Sequence, residues 1–116
     1  MSQGYNAAVD LLVRLAGIHG AMLVSRPDGI VVTESLMEGV RGAALAALAA
    51  SLVSRLEAAT RAAGTDAPSF LHLQAAYGSI FVIPVTADVL IVAIGESDVN
   101  AGQVRLQMQQ ASELVI

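Results

Sequence analysis

Few side chains in this sequence could carry out catalysis or bind a metal. Its two histidines, His19 and His72, stand among scattered carboxylates, and there is no cysteine. His19 comes just before a predicted strand and His72 lies within another, "FLHLQ", so only folding could bring them together as metal ligands. The motifs GxxxxGK[ST], GxGxxG and GxSxG, typical of nucleotide binding or hydrolase activity, are absent. We therefore expect no enzyme activity, metal or cofactor.

Arginines could act in a different way, by contributing to catalysis in the active site of a bound partner. Arg41, Arg55 and Arg61 flank or belong to one long predicted helix. A regulator of a GTPase can insert an arginine into its partner's active site and stabilise the transition state. Arg61 also follows a glutamate by four residues, the spacing of an ordinary intrahelical ion pair. Glu34 and Glu38 precede the helix with Arg41, where either partner contact or turn and capping roles would place them.

Composition narrows the class of protein. The chain has 116 residues, 55% of them hydrophobic and 14% charged, which predicts one domain over residues 1–116. A net charge of -4, the absence of lysine and only 3% aromatic residues argue against nucleic-acid binding. Without cysteines, and with an N-terminal "MSQGYN" unlike a signal peptide, a cytoplasmic location is expected.

The apolar pattern predicts the elements that must position these residues. Their order is α-β-β-α-β-β-β-α, an α+β fold in which helices sandwich a five-stranded antiparallel sheet. In the first helix, Asn6 is placed to cap and Gly17 to end a stripe made by Ala8, Leu11, Leu12, Leu15 and Ile18. The last helix has Ser97 or Asp98 as its predicted cap and a stripe of Ala101, Val104, Met108, Ala111 and Val115.

Turn residues predict how the strands are connected. "RPDG" joins the first two strands as a hairpin, because Pro27 presets a turn and Gly29 accepts a positive φ. "FLHLQ", "SIFVIPV" and "DVLIVAIG" follow with short connections, which predicts a meander. Pro84 lacks a backbone donor, so it should lie at a strand end or a bulge.

The central helix contains "RGAALAALAASLVSR", residues 41–55, and continues to a stop at Gly64. Its leucines, Leu45, Leu48, Leu52 and Leu56, form a stripe predicted to cover the sheet. Away from them lie small uncharged residues, predicted to pair with a second copy: Ala43, Ala46, Ala47, Ala50, Ser51 and Ser54. The alternative is an exposed alanine face with no partner, since alanine is the best helix former. The uncharged window is shorter than the ~20 residues that span a bilayer, so no membrane insertion is expected.

Several phrases together resemble the roadblock or dynein light chain domain family, which is related to longin folds. They are "GIHGAMLVSRPDGIVVTES" (17–35), the small-residue helix, "YGSIFVIPVTADVLIVAIG" (77–95) and "NAGQVRLQMQQASELV" (100–115). The resemblance implies a homodimer or heterodimer whose central helices pair and whose third strands join two sheets. "FLHLQ" then becomes the joining strand, with Phe70, His72 and Gln74 at the interface. Two copies of His72 would approach each other there, and protonation would weaken the dimer.

The family resemblance also implies a function. Its members bind small Ras-like GTPases, some regulating the nucleotide state and others acting as scaffolds, and related bacterial proteins act with gliding-motility or polarity GTPases. The expected function is thus a homodimeric module that binds such a GTPase and stimulates its GTP hydrolysis or holds it in a complex. A small-molecule-sensing domain and a purely structural subunit remain the alternatives.

Overall fold

The computed structural model describes residues 2–116; Met1, part of the predicted domain, lies outside the described residues. Every pair of neighbouring strands is antiparallel, and the strand order in the sheet is β2-β1-β5-β4-β3. The predicted α+β fold is confirmed. Its elements are α1 (Ser2–Val13), β1 (Ile18–Ser25), β2 (Ile30–Leu36), α2 (Gly42–Ala62), β3 (Leu71–Ala75), β4 (Gly78–Pro84), β5 (Val89–Gly95) and α3 (Ala101–Val115).

Helices lie on both faces of the sheet, because the central strands β1, β5 and β4 carry apolar side chains on both faces. Side chains alternate between the faces, so Leu23 packs under α1 and α3 while its neighbour Met22 packs under α2. The α3 stripe is buried through Val104, Met108 and Ala111, as predicted. The sheet is thus the middle layer of a three-layer sandwich.

The turn predictions are confirmed. Gly29 ends the β1–β2 turn with a φ of +66°, a conformation that favours glycine. Pro84 is the last residue of β4, where no further ladder donor is needed. Gly64 has a φ of +75° two residues after α2 ends, so it stops that helix as expected.

The predicted helix caps are wrong. Because α1 begins at Ser2, Asn6 lies inside it, and its Oδ1 accepts a hydrogen bond from Thr33 Oγ1 at 2.8 Å. Ile18 is the first residue of β1 rather than part of the α1 stripe. At α3 the cap is Asn100, whose Oδ1 accepts from the Gln103 backbone N–H at 3.1 Å. Ser97 and Asp98 lie too far before the helix for that role.

The orientation of α2 differs from the prediction. Its buried residues are Ala46, Ala49, Ala50 and Val53, whereas Leu48 is 68% exposed. Alanines and Val53 thus face the sheet, and α2 also lies close to the hairpin turn, since a β-carbon on Gly29 would lie 3.1 Å from Ala47 Cα. Of the predicted leucine stripe, Leu45, Leu52 and Leu56 are partly buried at the margin of this core, and only Leu48 is turned away from the sheet.

An ion pair fixes α2 to the hairpin. The Arg26 guanidinium contacts the Glu57 carboxylate, and both side chains are mostly buried. The Arg26 backbone N–H also donates to the Asp88 carbonyl at 2.8 Å, which ties the hairpin to the β4–β5 connection. Glu57 is therefore paired with Arg26, and the intrahelical pair with Arg61 suggested by spacing does not form.

By length and composition alone, α2 is apolar enough to cross a membrane, with a mean hydropathy of 1.3 over 18 residues. Core helices of soluble proteins meet the same criterion. Here the face of α2 that bears Ala46 and Val53 is packed on the sheet. The composition of α2 is therefore weak evidence that this helix crosses a membrane.

Candidate functional site

Part of the sheet face under α2, on the β3–β4 side, has no helix over it. The helix packs mainly against β2, with smaller contacts to β1 and β5. Leu73 of β3, Ile80 of β4 and Ile94 of β5 line an almost wholly apolar depression of about 310 Å³ beside it. The displacement of α2 toward the hairpin thus leaves the part of the β3–β4 half around Leu73 and Ile80 open, while Leu71 and Val82 remain buried.

A second apolar depression, of about 140 Å³, separates α2 from these strands. It shares Leu73 and Ile80 with the first, so the two are continuous. Contiguous apolar surface of this kind on a monomer marks an interaction site. We call this surface the open apolar face and define it by Leu45, Leu48, Leu52, Leu73, Ile80 and Ile94.

The open apolar face ends at a free sheet edge. β3 pairs only with β4, so its outer backbone groups have no strand partner within the described residues 2–116. Leu71 and Leu73 point to the α2 side, and His72 and Gln74 point to the α1/α3 side. The other edge strand, β2, has an irregular register opposite Leu23 and Val24, which makes it a poorer template for pairing.

On the α1/α3 side of this edge, the chain's two phenylalanines form a row with His72. The imidazole stacks on Phe81 at 4.4 Å between centroids and 17° between planes, and His72 Nε2 lies 3.4 Å from Ser79 Oγ. Phe70 lies 6.0 Å from Phe81, and the Arg105 guanidinium lies 5.3 Å above the Phe70 ring. Phe70 and His72 therefore both pack on Phe81 at the β3 edge, the edge at which the family resemblance places them.

Gln74, the third predicted residue of this edge, is also held in place. Its Nε2 donates to the Ser97 carbonyl at 2.7 Å, which links β3 to the segment between β5 and α3. The side chain remains exposed. The edge therefore presents ordered polar groups on one side and leucines on the other.

The helix residues predicted for the interface fall into two groups. Ala46 and Ala50 are only 0% and 7% exposed, because they pack on the sheet, so this part of the prediction is wrong. Ala43, Ala47, Ser51 and Ser54 are exposed. Three of these, Ala47, Ser51 and Ser54, line a notch beside the hairpin turn; Ser51 also borders Leu48 and Leu52, whereas Ala47 and Ser54 lie on the flank away from the open apolar face.

The predicted GTPase contacts do not form one cluster. Glu34 lies on β2, and Glu38 and Arg41 lie in the connection before α2; the Glu34 carboxylate reaches the first residue of α2, since a β-carbon on Gly42 would lie 2.5 Å from Glu34 Oε2. Arg55 and Arg61 lie in its second half, and at 1.5 Å per residue Arg61 is about 30 Å from Arg41. A partner must span the length of α2 to contact both groups.

The histidines do not form a metal site. His19 on β1 faces Glu96, with 3.6 Å between His19 Nε2 and Glu96 Oε1. His72 on β3 is three strands away in the sheet order, about 14 Å at ordinary strand spacing. From residue 2 to 116, no three His, Asp or Glu side chains are grouped closely enough to hold a metal ion.

Solved structures of other proteins share this architecture. The structure matches MglB from Myxococcus xanthus with a TM-score of 0.88, at 23% identity over 97% of this chain and 85% of that chain. It matches the gliding protein MglB from Thermus thermophilus with a TM-score of 0.85, at 20% identity over 97% and 86% of the two chains. A third structure, described as MglB with a tetrameric arrangement, gives a TM-score of 0.83 at 22% identity over 95% and 85%.

At these identities the likeness establishes the fold alone. No match was found among proteins of curated function. The family model of the Roadblock/LC7 domain, however, matches residues 5–95, which is most of the sequence. The chain therefore belongs to the Roadblock/LC7 domain family.

Proposed function

We propose that this protein is a dimeric regulatory or scaffold module that binds a small Ras-like GTPase, rather than an enzyme in its own right. The observation that carries the first part is the open apolar face, which ends at the free β3 edge. Its depressions are open to solvent and almost purely apolar, which suits a protein partner better than a hydrogen-bonded small ligand. A small-molecule-sensing function is accordingly the weaker alternative.

The occupant of the open apolar face in this proposal is a second copy of the chain. Two antiparallel β3 strands pair about a two-fold axis and join the two sheets into one of ten strands. The leucine flank of each α2, which includes Leu48 and Leu52, then covers the exposed half of the joined sheet. The tetrameric arrangement of one similar MglB structure is consistent with self-association in this fold.

Family membership and the likeness to gliding proteins support the second part of the proposal. We place the GTPase against α2, with Arg41, Glu34 and Glu38 contacting it at one end and Arg55 and Arg61 at the other. An association of this kind belongs in the cytoplasm, with the chain outside the membrane. Whether the protein alters nucleotide state or only holds the GTPase is decided by experiment.

Binding to purified Ras-like GTPases from the source organism tests this proposal. We expect the protein to bind the form loaded with a GTP analogue at least about tenfold more tightly than the GDP form. A difference of this size is typical when the binding of one ligand is coupled to the binding of another. If an arginine of this chain acts in trans, replacing Arg41, Arg55 or Arg61 by alanine should reduce stimulated hydrolysis by about 10³-fold or more. Binding should change far less.

Equal affinity for the two nucleotide forms would instead assign the protein to the structural subunits. Absence of binding to every GTPase tested would contradict the proposal. Exposed Arg14, in the turn directly after α1, provides a matched control, because α1 lies on the opposite face of the sheet from α2. Its replacement by alanine should change neither binding nor hydrolysis.

A further inference from the structure

The His72 ring is the one titratable group on β3, and its position at the free edge is well defined. One face of the imidazole lies on Phe81, and the ring nitrogen Nε2 lies near the hydroxyl of the buried Ser79. The side chain is otherwise exposed. Whatever pairs with β3 will therefore cover an imidazole that is already held in one orientation.

We propose that His72 makes self-association of this protein pH-dependent: two copies pair tightly when the ring is neutral and weakly when it is protonated. This inference rests on the proposed pairing through β3. In an antiparallel pair centred on Leu73, the middle residue of Leu71–Ala75, each His72 lies opposite Gln74 of the second copy. The two His72 side chains are then diagonal neighbours, about 7–8 Å apart.

The charged groups around His72 do not neutralise the positive charge that a proton would add to the ring. β4 contributes Phe81 and Ser79, which are uncharged, and α3 contributes Arg105, a cation that faces the same aromatic row through Phe70. Two carboxylates, Glu96 and Asp98, flank Ser97 in the segment that Gln74 contacts, and Glu96 faces His19. Within residues 2–116 no hydrogen bond or ion pair joins His72 to a carboxylate.

The sign of the effect follows from these contacts. The stack on Phe81 lies within one chain and is present in the free and in the paired chain alike, so it does not change the difference between them. Pairing removes water from the imidazole and brings two such rings together, and both effects oppose the charged form. Association therefore releases protons, and acid shifts the equilibrium toward separate chains.

The experiment is sedimentation equilibrium of the full chain at pH 7.5, 6.5 and 5.5, at constant ionic strength. Histidine side chains take up protons over this range. We expect the dimer dissociation constant of the wild type to rise by roughly tenfold or more, the size given by two unit charges 7–8 Å apart near a protein surface. In His72→Gln the constant should stay within about twofold across the same range.

His19→Gln is the matched control, because it removes the other histidine and leaves β3 intact. It should follow the wild type. An unchanged wild-type constant, or an equal pH dependence in His72→Gln, would overturn this inference and leave the proposed dimer standing. A monomer at pH 7.5 would overturn both. Far-ultraviolet circular dichroism at each pH separates dissociation from unfolding.

Discussion

Leu48→Glu should separate the two chains without unfolding either one. Leu48 is 68% exposed, so a glutamate there meets water in the single chain and does not disturb the core. In the proposed dimer the same position lies on the open apolar face, where an unpaired carboxylate must lose its water. Two such positions occur per dimer, and we expect the dissociation constant to rise at least about 100-fold, as for interface hot spots.

Light-scattering mass at micromolar protein, together with a thermal unfolding curve, measures this effect. Ser54→Glu is the control, because Ser54 is exposed on the opposite flank of α2, beside the hairpin turn. It should leave the mass unchanged. If Ser54→Glu dissociates the protein and Leu48→Glu does not, the small-residue flank is the interface after all.

Ala46→Glu should destabilise the folded chain itself. Ala46 has no exposed surface and packs between α2 and the sheet, in the cluster that contains Met22, Val24 and Val92. A glutamate here either buries an unpaired charge or forces the helix off the sheet. We expect the free energy of unfolding to fall by about 3–5 kcal/mol, which lies in the largest class of single-residue effects.

Urea unfolding monitored by circular dichroism gives this free energy. Ala43→Glu, one turn earlier and exposed, introduces the same side chain into the same helix. It should change the free energy by no more than about 0.5 kcal/mol, as for ordinary surface positions. Equal stability of the two variants would show that α2 is not seated on the sheet as described.

The sequence predicted the layers of this fold well because the relevant signals are local. The short apolar runs of the strands, the turn at Pro27 and Gly29, and the stop at Gly64 depend on a few adjacent residues each. Asn100 shows where such reasoning is weakest: Ser97, Asp98 and Asn100 are all good caps, and only the exact start of α3 at Ala101 selects among them.

The face of α2 that packs on the sheet could not be predicted from adjacent residues in the same way. Its leucines and alanines lie on neighbouring stripes, and hydrophobicity alone assigns the larger side chains to the core. What reverses the assignment is a distance across the fold, the approach of Gly29 to Ala47, which has no signature in the helix itself. The small residues are explained largely by their own sheet and hairpin, whereas the leucines lie at the margin of the core, with Leu48 exposed for a partner.

The residues predicted at the sheet edge lie at that edge, whereas two of the residues predicted on the exposed face of α2 are buried. Phe70, His72 and Gln74 were assigned from the family resemblance, which carries strand order with it, and the structure places them together at the free edge of β3. Leu73 and Ile80 were missed because alternation along a short strand does not say which face lacks a helix. That information lies in the displacement of α2 toward β2.

Pairing through β3 is the central claim, and single cysteines test it most directly because the natural chain contains none. Leu73 of β3 and Val32 of β2 are equally exposed, at 46%, on opposite edges of the sheet. An antiparallel pair centred on Leu73 puts its two α-carbons about 4.5–5.5 Å apart, within disulfide range.

The measurement is the fraction of covalent dimer on a non-reducing gel after mild oxidation at low micromolar protein. We predict nearly complete cross-linking of Leu73→Cys and little of Val32→Cys. Equal cross-linking of the two variants, or preferential cross-linking through Val32→Cys, would contradict pairing through β3.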